Sequence, residues 1–376
     1  MLREKTEHGS WGHCGTIGEV PVAHGTPFER YILRNGLMGT KGRILLGTAI
    51  SLILLVLIFR NTNWGEMWAA LRAANYWLLG LAVFVTFLGV VVRAFRWRAL
   101  FWPESSLSMK ALFDAVNVGY LANNLLPARA GDVLRAYFAG EWADTSVTHA
   151  LSTTVVERVV DTLLIVAMLF VLLPFLPLPR TLVDAGLGVG GVLVVASVVM
   201  MALSLQRERG RRILAALLRL VPRLDATVWS ERLIALLDGF AILRAPGALA
   251  RVLGWSILVW VEGILIYLLT FRAFGLGALS PAVAVLTICA AALGMALPSA
   301  PSAAGVFHGA TFAVLVAFSV PDDLARTVAV ALHGINFLTL TVMGFWSLAR
   351  RGLSYGELTK RAVAPKEPVA LDSSGN

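Results

Sequence analysis

The 376-residue chain carries little charge, because Asp, Glu, Lys and Arg together make up only 15 % of it. About 25 % is usual in a soluble globular protein. Hydrophobic residues make up 57 %, and the mean hydropathy is +0.75. These proportions exclude a cytosolic enzyme, a disordered regulator and a fibrous protein. Several apolar blocks approach the ~20 residues that a membrane-spanning helix needs, so the sequence predicts an all-α polytopic membrane protein.

Cysteine is also scarce, and the motifs of nucleotide and metal chemistry are missing. Cys14 and Cys289 are the two cysteines, and they cannot form a disulfide framework. Cys14 has His8, His13 and His24 nearby, but their spacing fits no metal site. The sequence also lacks the Gly-x-x-x-x-Gly-Lys-Ser/Thr loop that would hold ATP. We therefore expect no cofactor, no metal and a protein that is not an enzyme.

Acidic residues are fewer than basic ones, with 23 Asp and Glu against 32 Lys and Arg, for a net charge of +9. In a soluble protein this excess would suggest a nucleic-acid partner, but in a membrane protein it marks cytoplasmic loops. Basic residues are frequent in 207–250 and after residue 350, and rare in 174–186 and 320–324. We therefore expect no nucleic-acid partner. The prediction is a multi-pass protein of the bacterial inner (plasma) membrane with both termini in the cytoplasm.

The sequence divides into five segments. Residues 1–37 lack a signal-peptide pattern, and we expect them to be disordered or to reflect an over-called start. A first membrane half covers 38–206, a basic amphipathic cytoplasmic linker 207–250, a second membrane half 251–350, and a cytoplasmic tail 351–376. We expect about six full spans with a Trp-containing interfacial segment at 63–75, and the spans lie at 43–59, 76–92, 150–173, 187–205, 251–271 and 325–348.

Two further apolar regions, 109–141 and 280–319, are interrupted by Pro and Gly. Given the orientation of the flanking spans, the first must enter and leave from the cytoplasmic side and the second from the outer side. A span, a broken hairpin and a span then occur twice with opposite orientation, which is the signature of an inverted-topology repeat. The breaks share a Pro-x-x-x-Gly pattern, Pro127–Gly131 and Pro301–Gly305. The alternative is that each region forms two ordinary short spans.

Ionisable residues at membrane depth are the most informative ones, because each is costly there and usually functional. Polar residues surround the first break and open the next span: Asn123, Asn124, Arg129, Asp132, Arg135, Glu157, Arg158 and Asp161. Glu157 and Asp161 share one helix face, so we expect them to face Arg129 or Arg135. Two interpretations stay open: a structural clamp, or an arginine that remains partly unpaired and binds a phosphate, with the two asparagines as neutral donors.

The outer hairpin is nearly free of charge. Small residues and a histidine surround its break: Pro298, Ser299, Pro301, Ser302, Gly305 and His308. Exposed backbone amides there could hold an oxyanion. His308 either titrates near physiological pH or is a histidine with a satisfied hydrogen bond. His333 and Asn336 of the last span could face the same interior, with Glu262 as their candidate partner.

The run Asn123-Asn-Leu-Leu-Pro-Ala-Arg-Ala-Gly-Asp-Val-Leu-Arg135, with Val156-Glu-Arg-Val-Val-Asp161, resembles the transmembrane region of lysylphosphatidylglycerol synthases. This is the flippase-like half of the multiple peptide resistance factor and its stand-alone relatives. The resemblance covers roughly residues 43–350 and includes Arg93–Trp97 and Leu297–Phe307. It implies movement of a lipid between leaflets and implicates, as substrate-binding residues, Asn124, Pro127, Arg129, Gly131, Asp132, Arg135, Glu157, Arg158 and Asp161.

The sequence departs from the family pattern at His308, where an acid is frequent, and at Ala304, where Gly is frequent. The aminoacyl-transferring domain is absent, so we do not carry over synthase activity. We predict a lipid translocase for an anionic, aminoacylated or polyprenyl-linked lipid. The alternatives are a membrane transferase with a polyprenyl-phosphate donor, for which Asp132 is the candidate base, and a non-transporting envelope scaffold. The lipid, the transport direction and the oligomeric state stay open.

Overall fold

The computed structural model describes residues 40–103, 106–126, 129–176, 242, 245–296 and 301–363, with isolated residues between 188 and 202. No strand occurs in these ranges, so the all-α prediction is confirmed. Four predicted features lie wholly or mostly outside the described residues: the N-terminal segment 1–37, the span 187–205, the linker 207–250 and the tail beyond residue 363.

The predicted apolar blocks coincide closely with helices. The long described helices are α1 (Thr40–Phe59), α2 (Trp64–Ala73), α3 (Tyr76–Leu100), α4 (Met109–Leu125), α5 (Ala130–Ala143), α6 (Val147–Leu172), α7 (Pro246–Ala273), α8 (Pro281–Ala296), α9 (Ala304–Ala317), α10 (Asp322–Arg350) and α11 (Tyr355–Val363). One boundary differs in an important way. The second span was predicted to end at Val92, but α3 continues for two more turns and takes Arg93 and Arg96 into the helix bundle.

Three of these helices, α3, α7 and α10, are long and apolar enough to cross a membrane. A fourth span is formed if α1 and α2 are counted together, although they meet at a bend of 86°. Helix α6 is also 26 residues long, but it differs from these helices because it carries the charged residues Glu157, Arg158 and Asp161 within its apolar sequence. The described residues thus form a membrane protein with three or four candidate spans, and the count of six stays a prediction.

Asparagine side chains fix the turns at the start of α2 and α3. Asn63 accepts hydrogen bonds from the amides of Gly65 and Glu66, and Asn75 caps α3 in the same way. Such caps satisfy amides that have no partner in the first helical turn. The amide of Asn75 donates to the carbonyl of Ala273 at 2.9 Å, so α3 begins where α7 ends. The two helices therefore pack against each other in antiparallel orientation.

Contacts between chain-distant residues define the two ends of the bundle. At one end, called the Arg350 end, Arg350 and Arg351 both pair with the buried carboxylate of Asp114, and Arg361 of α11 pairs with Glu141. At the other, called the Asp323 end, Asp323 accepts a hydrogen bond from the amide of Asn63. Asp114 lies near the start of α4 and Glu141 near the end of α5. The pair α4–α5 therefore begins and ends at the Arg350 end.

The helices α4 and α5 pack together as the first hairpin, and α8 and α9 as the second hairpin. At 1.5 Å per residue, the 17 residues of α4 and 16 of α8 reach only about 25 Å, less than the ~30 Å of a bilayer core. Both tips reach the middle of α10. Asn124 donates to the carbonyl of Phe337 at 3.2 Å, and the His308 and His333 rings lie 4.8 Å apart.

The two tips have the same backbone conformation. Arg129 precedes α5 with φ 53°, and Ala303 precedes α9 with φ 52°, both in the left-handed region. Two residues later each helix has a glycine in close contact with another backbone. A Cβ at Gly131 would collide with the carbonyl of Gly119, and one at Gly305 would collide with the backbone of Ser51 in α1. The shared Pro-x-x-x-Gly spacing therefore corresponds to a shared geometry.

We predict that Gly305→Ala destabilises the protein, because the added methyl group would push α9 away from α1. Overpacking of this kind costs about 1–3 kcal/mol. Gly334→Ala in α10 is the matched control, since a Cβ at that position has no neighbour within 4 Å. Thermal unfolding in detergent micelles measures both variants. Equal unfolding temperatures for the two variants would contradict the close approach of α1 and α9.

Candidate functional site

The centre of the site is a buried ion cluster in which Glu157 of α6 lies between two arginines. Arg96 of α3 pairs with one carboxylate oxygen of Glu157, and Arg135 of α5 donates to the other at 3.0 Å. Arg96 also pairs with Asp161 at 2.6 Å, one turn along α6. Arg96, Arg135 and Glu157 are each less than 5 % exposed. The prediction that Glu157 faces Arg135 is therefore correct, and the cluster joins α3, α5 and α6.

Neighbouring side chains fix the orientation of the arginines. The guanidinium of Arg135 lies over the indole ring of Trp97 at 4.5 Å and donates to the hydroxyl of Thr154 at 3.0 Å. Trp97 in turn donates to the hydroxyl of Thr153 at 3.0 Å. The face of α6 that carries these hydroxyls also carries Glu157, because residues three and four apart share a helix face. The site is therefore held by aromatic and hydroxyl groups as well as by charge.

A second, more open layer lies beside this cluster. Arg158 donates to both carboxylate oxygens of Asp132 at 3.1 Å, and its side chain is 45 % exposed. Asn123 donates to the same carboxylate at 3.2 Å and accepts a hydrogen bond from the amide of Gly131 at 2.9 Å. Asn123 therefore closes the turn between α4 and α5 and orients Asp132 toward Arg158.

Arg129 differs from the other arginines of the site. It is exposed, it caps α5 in the left-handed conformation, and its side chain makes no cap hydrogen bond. Within the described ranges its side chain forms neither an ion pair nor a hydrogen bond, although Asp132 and Arg158 lie nearby. Arg129 is thus a cation without a bound counter-ion in the described part of the chain, at the tip of the first hairpin.

The tip of the second hairpin is apolar and aromatic by comparison. His308 is buried and its Nδ1 is hydrogen-bonded to the carbonyl of Ala304, which agrees with the satisfied-histidine interpretation. Its ring contacts Phe59 and His333, and Phe307 packs on His333 at 5.3 Å. Among the predicted residues, Pro301 and Gly305 lie at this tip, whereas Pro127 and Pro298 are outside the described residues.

Two sequence expectations about arginines need correction. Arg96 lies beyond the predicted second span, 76–92, but it is a central member of the buried cluster because α3 extends to Leu100. The signal was available in the arginines at 93 and 96, which lie on one helix face beside a tryptophan. Arg129 was one of two candidate partners for the α6 acids, and it pairs with neither of them in the described chain.

Asn124 and Glu262 also differ from expectation. Asn124 was expected to be a free donor to a ligand, but its amide donates to Phe337 and Thr341 of α10 and holds the hairpin tip there. Glu262 was expected to be a partner of His333 or Asn336. Instead its carboxylate lies 3.0 Å from the guanidinium of Arg93, because α7 packs along α3 and presents Glu262 to that helix.

Comparison with known proteins is decisive about the family. Residues 44–344 match the family described as "Lysylphosphatidylglycerol synthase TM region". The chain belongs to this family. The match includes the first hairpin, the α6 acids and the second hairpin, and it confirms the resemblance noted from the sequence. No solved structure matches the chain.

The similar proteins include two that are named as membrane proteins. Two from Methanothermobacter thermautotrophicus are named "UPF0104 membrane protein"; one is 26 % identical over 335 residues, covering 85 % of this chain and 98 % of the relative. The other is 24 % identical over 306 residues, covering 79 % and 90 %. A third, "Glycosyltransferase AglD" of Haloferax volcanii, is 23 % identical over 347 residues, covering 83 % of this chain and 55 % of AglD.

We predict that Glu157→Gln destabilises the protein far more than Arg158→Gln although the two residues are adjacent. Glu157→Gln leaves the buried guanidinium of Arg135 without a carboxylate partner and Arg96 with Asp161 alone, and removal of one member of a buried pair costs about 3–5 kcal/mol. Arg158→Gln breaks an exposed pair, which costs at most about 1 kcal/mol. Thermal unfolding of the purified variants gives the comparison. If Glu157→Gln unfolds at the wild-type temperature, the buried cluster does not hold the helices together.

Proposed function

We propose that this member of the family moves a lipid with an anionic, aminoacylated or polyprenyl-linked head group between the leaflets of the bacterial inner (plasma) membrane. The proposal rests on the exposure and the unpaired charge of Arg129. This residue is an exposed and unpaired cation, in the described part of the chain, next to a cluster in which the other charges are paired. A planar guanidinium binds phosphate well, and phosphate is common to most such head groups.

The charge balance of the site supports this role. Four arginines of the site face three carboxylates, those of Asp132, Glu157 and Asp161. One positive charge is therefore left, and it belongs to Arg129. A phosphodiester placed there would neutralise the site, and it would meet the exposed guanidinium of Arg158 beside it. The acyl chains would stay in the lipid while only the head group passes through protein.

We infer further that the two membrane halves form an inverted-topology repeat with re-entrant hairpins. Both hairpins are shorter than a bilayer core, both tips lie at the middle of α10, and both have a left-handed residue followed by a closely packed glycine. Broken helices that meet near the midplane form the substrate sites of many transporters. In this arrangement the first tip would accept the head group and the second would release it.

The same arrangement gives the orientation. The Arg350 end carries arginines on α10 and α11, so the rule that basic residues stay inside places it in the cytoplasm. Both termini would then be cytoplasmic and the first hairpin would open toward the cytoplasm. The lipid gradient or the membrane potential would supply the free energy of transport.

A second candidate is a membrane transferase that uses a polyprenyl-phosphate donor, which the similarity to the protein named glycosyltransferase AglD favours. Asp132 would be its base. However, Asp132 already accepts hydrogen bonds from Arg158 and Asn123, so its carboxylate is engaged by two donors. Transfer of a radiolabelled sugar that is lost in Asp132→Asn, with donor binding retained, would favour the transferase over the translocase.

We predict that Arg129→Ala abolishes most lipid translocation without loss of fold, because the side chain forms no ion pair or hydrogen bond with a described residue. The purified protein is reconstituted in liposomes with a panel of fluorescent anionic, aminoacylated and polyprenyl lipids, and leaflet accessibility is measured. Arg251→Ala, which removes another exposed arginine at the start of α7, is the matched control. Arg129→Lys should retain part of the activity, since the charge stays.

Unchanged translocation in Arg129→Ala would overturn the assignment of the phosphate to this residue. If the folded wild-type protein moves none of the lipids in the panel, the transferase and the non-transporting scaffold become the better explanations. The scaffold predicts that substitutions near Glu157 act only through stability.

A further inference from the structure

Glu262 of α7 is a buried acid that the proposed lipid site does not use. It lies 16 residues after the first residue of α7 and 11 before the last, which at 1.5 Å per residue places it about 24 Å and about 17 Å from the two helix ends. Its side chain is 7 % exposed. An ionisable residue near the middle of a membrane span is costly, and such residues usually serve in ion or proton pathways.

The surroundings of this carboxylate are different from those of Glu157. Arg93 Nη2 lies 3.0 Å from Oε2 of Glu262, yet neither carboxylate oxygen receives an aligned hydrogen bond from a described residue. On the other side the carboxylate lies against Gly89 of α3, where a Cβ would collide with it. Glu262 is thus held by one cation and by a glycine notch, whereas two arginines and their hydrogen bonds hold Glu157.

The charged groups around Glu262 are few. Arg93 is the single group at ion-pair distance within the described ranges. Further groups lie on the elements packed nearby: Arg96 of α3, Tyr120 of α4, Asp161 of α6, which accepts a hydrogen bond from Trp260, and Cys289 of α8 near Tyr267. Loss of the negative charge on Glu262 would therefore remove the one close counter-ion of Arg93.

The Arg93–Glu262 ion pair joins the two membrane halves, so its loss affects the contact between them. Arg93 belongs to the first membrane half and Glu262 to the second, and α3 and α7 form an extensive contact between the halves. In the described structure, the other ion pairs between the first half and the chain beyond residue 250 lie at the Arg350 end, where Arg350 and Arg351 pair with Asp114 and Arg361 pairs with Glu141. Among the described residues, Arg93–Glu262 is thus the one ion pair that joins the halves within the membrane interior, where hydrogen bonds such as that from Trp260 to Asp161 also join them.

We propose that Glu262 binds and releases a proton during each transport cycle and thereby couples lipid movement to the proton gradient. The ionised carboxylate pairs with Arg93 and holds α3 against α7. A proton taken up from one side of the membrane neutralises the carboxylate, breaks the pair and allows the halves to move; the same proton leaves to the other side. Arg93 then lies beside Tyr120 and Arg96. This inference rests on the proposed translocase function.

The test uses the full-length protein in liposomes of phosphatidylethanolamine and phosphatidylglycerol, with fluorescent phosphatidylglycerol as the probe. Lipid movement is measured at equal pH on both sides and with a pH gradient. We expect the gradient to change the wild-type rate about tenfold, the factor that one pH unit produces for one proton. Glu262→Gln should lose this response. Glu66→Gln, which replaces an exposed acid on α2, is the matched control and should behave as wild type.

A second measurement does not depend on transport. Infrared difference spectra of the protein in micelles, recorded between about pH 5 and pH 8, should show a protonated-carboxyl band that is missing in Glu262→Gln. The double variant Arg93→Gln/Glu262→Gln removes both charges and serves if the single variant, with Arg93 left buried and unpaired, fails to fold. It too should lack the band and the gradient response.

The outcomes separate the two proposals. An unchanged gradient response in Glu262→Gln, or a wild-type spectrum without the band, would overturn proton binding at Glu262, and equal-pH transport would still support the translocase. The band present together with no lipid movement in any folded variant would support the proton site and overturn the translocase.

Discussion

The placement of one carboxylate between two guanidinium groups governs the rest of this structure. Glu157 takes Arg96 from α3 and Arg135 from α5, so a single acid fixes a membrane span, the returning helix of a hairpin and the helix that follows it. In an interior of low dielectric none of the three can be left alone without a large cost. The hairpin is therefore held at a fixed height, and its tip can carry an arginine that has no structural task. Specific binding needs such a rigid support.

Much of this could be predicted from the sequence, and the remainder depends on packing. The apolar blocks predicted most of the described helix positions to within a few residues, because a helix that spans a membrane requires a long apolar segment. Helix periodicity placed Glu157 and Asp161 on one face, with Arg129 and Arg135 as alternative partners, and the structure pairs Glu157 with Arg135. The partners Arg96 and Arg93 were missed, because an arginine just beyond an apolar block is equally typical of a helix end in the cytoplasm. The contact with α6 places Arg96 and the contact with α7 places Arg93, and contacts between residues more than 60 positions apart have no local signal.

The two hairpins have the same backbone conformation at their tips but different side chains there. Both begin their second helix with a left-handed residue and seat a glycine against a neighbouring backbone. The residue in the left-handed position is Arg129 in one and Ala303 in the other, and the surroundings are ionic in the first and aromatic in the second. A shared geometry with unlike side chains suits a path whose two ends treat the same head group differently, by capture on one side and by release on the other.

The ion pairs at the Arg350 end link the C-terminal segment to the first hairpin. Arg350 and Arg351 form ion pairs with Asp114 near the start of α4, and Arg361 of α11 forms an ion pair with Glu141 near the end of α5. Both legs of the hairpin are thus anchored by the same short stretch of chain. A substitution that removes one of these three arginines would therefore loosen one leg of the hairpin at its base, and loss of Arg361 would act on α5, the helix that begins directly after Arg129.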